Sequence, residues 1–474
     1  MLVTVANLIP RAGAFLLLPI YARFLTQADF GIVSLAGSAA LLLAITYRLG
    51  LDAALLRLHF DVDGVDRREL YVTVAALSVA CVIGATVVGA LLALMVSGSG
   101  EGIPLIIWLL ALAIAAANTL QFVPSVWFRA SDRTGRYLGL AIVAFAAVVI
   151  VTVLLVVVLR LGAVGSLAGQ LAGATVMAGA AIVLLLRLRP WRFRPDLARR
   201  SVRFGLPLLP HSVAGWLLNL SDRWLLALLL AGGVAETLAA IGVYSLGYQL
   251  GYALGLAAIS FNAAWLPFLY RVGRGPHGAE ILREATIVVV AGFAAMAAAL
   301  SVLAPDLVGL VAPAEWSAAS DVTVVVAFAS ALNASGLMFA SALYQHRDTR
   351  IMPVLTLVAV AINLAINLVL IPSIGIMGAA WATLVSYGTL AVLIGFVARK
   401  RYGIRFDVPR LAAVAGIMVT PAVVARLIDP ADAYLATSWH VALAIMAATA
   451  TVVLVRHPLR RLRDRVAAIP AEAG

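Results

Sequence analysis

The sequence predicts an all-α, polytopic membrane protein of about fourteen transmembrane helices, arranged as two parallel six-helix lobes followed by two further helices. Three observations carry this expectation. Of the 474 residues, 64% are apolar and only 12% are charged, with a mean hydropathy of +1.06; a water-soluble chain of this size needs more charge to cover its surface. Apolar runs of roughly 20 residues, the length a helix needs to cross ~30 Å of hydrocarbon, recur from end to end. The first twelve of these runs fall into two similar sets of six.

In chain order the runs occupy residues 2–25, 31–56, 71–96, 103–126, 137–159, 163–186, 204–231, 241–269, 285–304, 322–344, 351–371, 375–398, 408–427 and 437–455. The first lacks a basic leader and a small-residue cleavage site, so it is expected to be a retained helix and not a signal peptide. The even-numbered links and the C-terminal tail hold 28 of the 34 basic residues. The odd-numbered links hold only Arg23, Arg160 and Arg426, against Asp29, Glu101, Glu236, Asp306, Glu315, Asp429 and Asp432. This alternation is the positive-inside pattern, and it places both termini in the cytoplasm. The pI near 10.4 therefore reports topology and contact with anionic lipid, and implies no nucleic-acid partner. Cys81, the one cysteine, lies in the third run, so no intrachain disulfide is possible.

Three segment pairs establish the repeat. "FGIVSLAG" at 30–37 resembles "IGVYSLGY" at 241–248, an offset of 211. "FRASDRTGR" at 128–136 resembles "YQHRDTR" at 344–350, and "LGAVGSLAGQL" at 161–171 resembles "IGIMGAAWATL" at 374–384. Six spans is an even number, so both halves enter from the same side as parallel repeats about an axis along the membrane normal. The expected organisation is a first lobe at 1–186, a basic cytoplasmic linker at 187–203, a second lobe at 204–398, and two helices with a basic tail at 399–474. The linker, "RLRPWRFRPDLARRSVR", sets Trp191 and Phe193 among arginines, which suits the headgroup region.

Ionisable groups inside spans are functional candidates, since each costs at least ~2.5–3.5 kcal/mol at the bilayer centre. There are five: Arg11, Arg48, Asp52, Asp222 and Arg223. Asn7 and Arg11 share a face of the first helix, with Arg11 ~14 Å deep at 1.5 Å per residue; the alternative is that Arg11 snorkels to the headgroups. Arg48 and Asp52 stand four residues apart and are expected to pair within one helix, either structurally or for function. His211, Gly215, Asn219 and Asp222 form one polar stripe, with Arg223 flanking it and poorly placed to pair with Asp222. Under the repeat offset, Asp222 falls opposite Arg11. The alternative role for Asp222 and Arg223 is a salt bridge that only fixes helix packing. Tyr244, Tyr248 and Tyr252 form an aromatic stripe that either stacks on sugar rings or packs helices. Asn118, Gln121 and Ser125, and separately Asn363 and Asn367, share helix faces where hydrogen bonding between helices is the plainer reading.

Catalysis and ATP hydrolysis are not expected. The only lysine, Lys400, stands in "ARKRYG", so there is no P-loop. The six histidines and one cysteine show no metal-ligand spacing, and no cofactor is expected. The energy sources compatible with such a chain are a proton or sodium gradient or the membrane potential.

Several segments resemble a known family. "RFLTQADFGIVSLAGSAALLLAITYRLGLDAALLR" and "NLSDRWLLALLLAGGVAETLAAIGVYSLGYQL" are similar to the starts of the two halves of polysaccharide and O-antigen (Wzx-like) flippases. These belong to the multidrug/oligosaccharidyl-lipid/polysaccharide exporter (MOP) superfamily, which also holds the MATE exporters. "AWLPFLYR" (264–271) and "INLAINLVLIPSIGIMGAAWATLVS" (362–386) match further signatures. The resemblance covers roughly residues 7 to 400. It implies a two-lobed bundle in a bacterial cytoplasmic membrane that moves polyprenyl-pyrophosphate-linked oligosaccharide to the outer leaflet by alternating access, for polysaccharide, O-antigen or exopolysaccharide synthesis. Arg11, Arg48 and Arg223 would then neutralise the pyrophosphate, with Asp222 or Asp52 as charge partner or coupling group, and Asn7, His211, Asn219, Tyr244 and Tyr248 lining the cavity. Partners would be the lipid-linked oligosaccharide, membrane lipid, and the glycosyltransferases and polymerase of a glycan pathway. Two features depart from the family: the basic leader is missing, and fourteen runs replace the commoner twelve, as in lipid II flippases, whose extra helices flank a groove for the lipid tail. Alternatives are a cation-coupled multidrug exporter, a lipid II flippase, and a non-transporting scaffold for glycan-synthesis enzymes. Three positive and two negative buried charges lean toward an anionic cargo.

Overall fold

The computed structural model describes residues 13, 15–62, 64–97, 102–131, 133–188, 191–272, 277–346, 348, 350–404, 406–428, 430 and 432–467. Among these the chain is helical, without strands. Twelve of the helical stretches are long and apolar enough to cross a membrane. The remaining two expected runs also carry helices. The first shows the apolar helix α1, Phe15–Phe24. The seventh becomes α10, Leu209–Leu229, which is long enough but has its hydropathy lowered by its own polar residues.

The helices begin and end where local chemistry demands. α2, Gln27–Arg48, is opened by a capping box in which Thr26 and Asp29 each satisfy the other's backbone N–H. It stops because Leu49 and Gly50 take φ of 49° and 71°, and α3, Leu51–Asp61, restarts the helix. The second expected run is thus two helices, and the proposed Arg48–Asp52 pair on one helix is corrected below. α4 spans Gly64–Ser97; α5, Leu105–Leu120, and α6, Phe122–Ala130, divide the fourth run at Gln121. α7, Thr134–Thr152, runs on as a π-helical stretch, Val153–Val158, before α8, Gly162–Arg187. The basic linker contains α9, Pro195–Gly205, opened by a proline at N1. A single 3₁₀ turn, Leu206–Leu208, joins it to α10.

The second half continues with α11, Val234–Val272; α12, Gly278–Val302; α13, Ala304–Val311; α14, Ala319–Gln345; α15, Met352–Ile374; and α16, Ile376–Tyr402. The two helices outside the repeat are α17, Val408–Leu427, and α18, Ala433–Ala467. By compactness the chain forms two units: residues up to 227 with 231–242, and residues 228–230 with 243–474.

In the first unit α8 packs on α7 and α5, α2 packs on α5, and α9 lies on α3 and α4. Its core near α9 gathers Leu51, Leu55, Leu70, Tyr71, Phe122, Val123 and Leu197. In the second unit α16 packs on α14 and α15, and α12 packs on α14, α17 and α18. Small residues such as Ala327, Ala331, Ala334 and Ala340 let these helices approach closely. The basic tail is used structurally as well: Arg465 pairs with Glu280 at 3.0 Å and Arg461 reaches Glu284 at 3.6 Å, docking the end of α18 on α12. Across the other end of α18, Asp306 accepts from Thr437 and sits 2.7 Å from His440 Nδ1.

Candidate functional site

The helix break after Arg48 shapes the first part of the site. Two consecutive residues in the left-handed region end α2 after Arg48, so Arg48 and Asp52 belong to different helices. Asp52 instead lies in the first turn of α3, where the helix dipole favours a carboxylate. Arg48, half-buried, donates from Nη2 to the backbone carbonyl of Asn118 on α5. Its Nε is buried and has no hydrogen-bond partner among the described residues. Interrupted helices place charge and unpaired backbone groups at the depth where membrane transporters bind ions and substrates. An arginine with unused donors can take an oxyanion through charge-assisted hydrogen bonds.

α10 supplies the second part. Asp222 is fully buried and Arg223 is 5% exposed, so both expected charges are inside the protein. The stripe behaves as a hydrogen-bonded ladder along its own helix: Asn219 donates to the Gly215 carbonyl at 2.7 Å, and Arg223 Nη1 donates to the Asn219 carbonyl at 3.2 Å. His211, the first member of the stripe, is exposed at the start of the helix. Arg11 and Asn7 lie outside the described residues.

The sequence reading missed how α10 is held. Trp216 Nε1 donates to the Ser38 carbonyl and Trp224 Nε1 to the Ser38 hydroxyl, both at 2.9 Å. Trp108 of α5 packs against Trp224 with ring centres 6.1 Å apart. Two tryptophans on a helix that also carries charge were a usable signal, because indole N–H groups buried in a membrane protein seek an acceptor.

In the second unit Tyr244 and Tyr248 are buried. Their rings stand 5.8 Å apart, and Tyr248 and Tyr252 stack at 5.7 Å. Asn367 donates to both the backbone and side-chain oxygens of Asn363 at 2.9 and 3.1 Å, and both residues are buried.

The linker is anchored by one charged cluster. Arg194 holds Asp196, Asp66 and Glu69 at 2.8–3.1 Å, and its backbone N–H donates to Thr73 Oγ1. Hydrogen bonds to Asp196 and then Glu69 raise the Arg194 guanidinium above its ordinary value, and Arg194 holds the Asp196 carboxyl below the usual range. Trp191 and Phe193 stay about half exposed, as aromatic residues at a headgroup level do. Among the described residues no group of three or more His, Cys, Asp or Glu side chains is placed to hold a metal.

Long apolar helices, a broken second span and buried charges on α10 define a multi-pass membrane protein with the fold of flippases and multidrug transporters. The lipid II flippase MurJ, in an inward closed conformation, superposes with a TM-score of 0.78 at 12% identity, over 97% of this chain and 99% of that one. An inward-facing multidrug resistance MATE family transporter of the MOP superfamily gives 0.62 at 14% identity, over 84% and 94%. A mutant of the Vibrio cholerae MATE transporter VcmN gives 0.53 at 16%, over 85% and 95%. No curated protein matches the chain by sequence. Residues 1–272 match the family described as "Polysaccharide biosynthesis protein", and the chain belongs to that family.

Proposed function

We propose that this protein flips a polyprenyl-pyrophosphate-linked oligosaccharide from the cytoplasmic to the outer leaflet of the bacterial cytoplasmic membrane by alternating access, serving synthesis of a surface polysaccharide. The observation that carries the reading is Arg48. It is a membrane-embedded cation at a helix break, with one donor spent on Asn118 and, among the described residues, a buried Nε left over. A pyrophosphate supplies the oxygens that such a group lacks, and the arginine fork suits phosphate geometry. Arg11 and Arg223 are the further cations assigned to the cargo, with Asp222 or Asp52 balancing charge or coupling to an ion gradient. An open apolar groove of about 550 Å³, lined by Ile417 of α17 and by Met446, Thr449, Ala450, Val453 and Leu454 of α18, supports a cargo with a long hydrocarbon tail. The glycosyltransferases and polymerase of the same pathway are the proposed partners.

The test uses Arg223→Ala, assayed by transfer of a fluorescent polyprenyl-diphosphate-linked sugar across proteoliposomes. The variant should insert and purify normally and lose transfer. Wild-type transfer by the folded variant would defeat the role given to this arginine. A cationic drug carried at the wild-type rate, with no transfer of the lipid-linked sugar, would favour the multidrug exporter.

A further inference from the structure

A reciprocal contact joins α2 to the first turns of α11, inside the first compact unit. A Cβ built on Gly31 would lie 2.0 Å from the carbonyl oxygen of Leu238 and 3.2 Å from the nitrogen of Gly242. Built on Gly242, it would lie 2.0 Å from the carbonyl oxygen of Gln27 and 3.2 Å from the nitrogen of Gly31. Carbon–oxygen contacts between close-packed helices begin near ~3.3 Å, so a methyl group fits at neither position unless the two helices move apart. Neither glycine has a positive φ. Glycine is a poor helix former, so close backbone approach is the physical reason for it here.

The contact obeys the internal repeat. The offset of 211 that aligns 30–37 with 241–248 carries Gly31 onto Gly242 and Gln27 onto Leu238. Each glycine therefore abuts the carbonyl four residues before the other. Further along the same face of α2, Ser38 receives the indoles of Trp216 and Trp224 from α10. The first two helices of the second repeat thus meet one face of α2 at Gln27, Gly31 and Ser38.

We propose that Gly31 and Gly242 form a symmetric backbone seal that closes one end of the transport path, the end that the loop charges place outside. The seal must part for the path to open to that side. At the two glycines the contact is backbone against backbone, with no side chain of their own to disengage. The inference rests on the alternating-access reading, and its test needs no cargo.

A Cys81→Ser background carrying Ser34→Cys provides the reporter. Ser34 is half-buried one turn beyond Gly31 on the same side of α2. A membrane-impermeant maleimide added from the outside should label it slowly. Gly31→Leu and Gly242→Leu should each speed labelling several-fold. Gly31→Ala and Gly242→Ala should do so by a smaller and mutually similar factor, because a methyl at 2.0 Å must retreat about 1.3 Å to reach ordinary contact. The alanine pair keeps the test decisive should the leucine variants fail to fold. Unchanged labelling in variants with a normal gel-filtration profile would overturn the seal. So would a rise from one glycine alone, since the contact is reciprocal. If lipid-linked sugar is not transferred yet labelling responds as stated, the cargo assignment fails and the seal stands.

Discussion

Replacing Arg48 by methionine keeps most of the side-chain stem and removes the charge, which separates a cargo-binding arginine from a structural one. The structure assigns one guanidinium donor to the Asn118 carbonyl and, among the described residues, leaves Nε buried without an acceptor. A charge-assisted hydrogen bond contributes about 1.5–3 kcal/mol, so loss of one bond to a pyrophosphate weakens cargo binding about 10- to 150-fold, at ~1.4 kcal/mol per factor of ten. Against this, an arginine inside a span is itself costly, up to about 2.5–3.5 kcal/mol at the bilayer centre, and among the described residues the hydrogen bond its removal breaks is the one to the Asn118 carbonyl. The Arg48→Met protein should therefore melt no lower than wild type while losing affinity for a fluorescent polyprenyl-diphosphate-linked sugar. Arg48→Lys should fall between, since an ammonium keeps the charge without the fork. Both quantities come from one purified sample, by thermal denaturation in detergent and by binding. The reasoning is refuted by the reverse pattern, a lowered melting temperature with wild-type affinity, which would make Arg48 a strut between α2 and α5.

The break after Arg48 makes its own prediction. Gly50 has a φ of 71° and its Cβ would lie 2.3 Å from the Gly205 carbonyl oxygen. Gly50→Ala adds a left-handed conformation, about 1–2 kcal/mol, to overpacking of about 1–3 kcal/mol. Gly205→Ala meets the same backbone from an ordinary helical φ and should show only the second part, so equal losses of thermal stability would exclude backbone conformation as a cause. Outside the spans, Asp348 accepts from Tyr402 at 2.6 Å and Arg401 at 2.7 Å, and these partners hold its carboxyl below the usual range. A depressed carboxylate contributes stability above its unfolded value near ~3.9 that is lost as pH falls through the folded value. Asp348→Asn should lower the melting temperature at neutral pH and leave less difference from wild type as the pH falls below about 4; a gap that persists unchanged in acid would show that charge plays no part there.

The lipid-spanning segments, the two-fold repeat and the buried ions were legible along the chain because the solvent imposes them. A helix in hydrocarbon needs about 20 apolar residues whatever its neighbours are, and an ion within such a stretch stands out by its desolvation cost alone. That logic found Asp222 and Arg223, which the structure buries. What the chain order could not reveal depends on residues far apart. "YRLGLD" reads as continuous helix with one tolerated glycine, and the break occurs where Gly205 presses its backbone against Gly50. The expectation that Arg48 and Asp52 share one helix failed for that reason: i, i+4 spacing brings side chains together only on an unbroken helix. Likewise Arg461 and Arg465 read as a solvated basic tail, until α18 laid them against Glu284 and Glu280 of α12. Hydropathy and periodicity describe a helix and its solvent; which face meets which neighbour is decided by complementary shape and charge, and those exist only once the helices are packed.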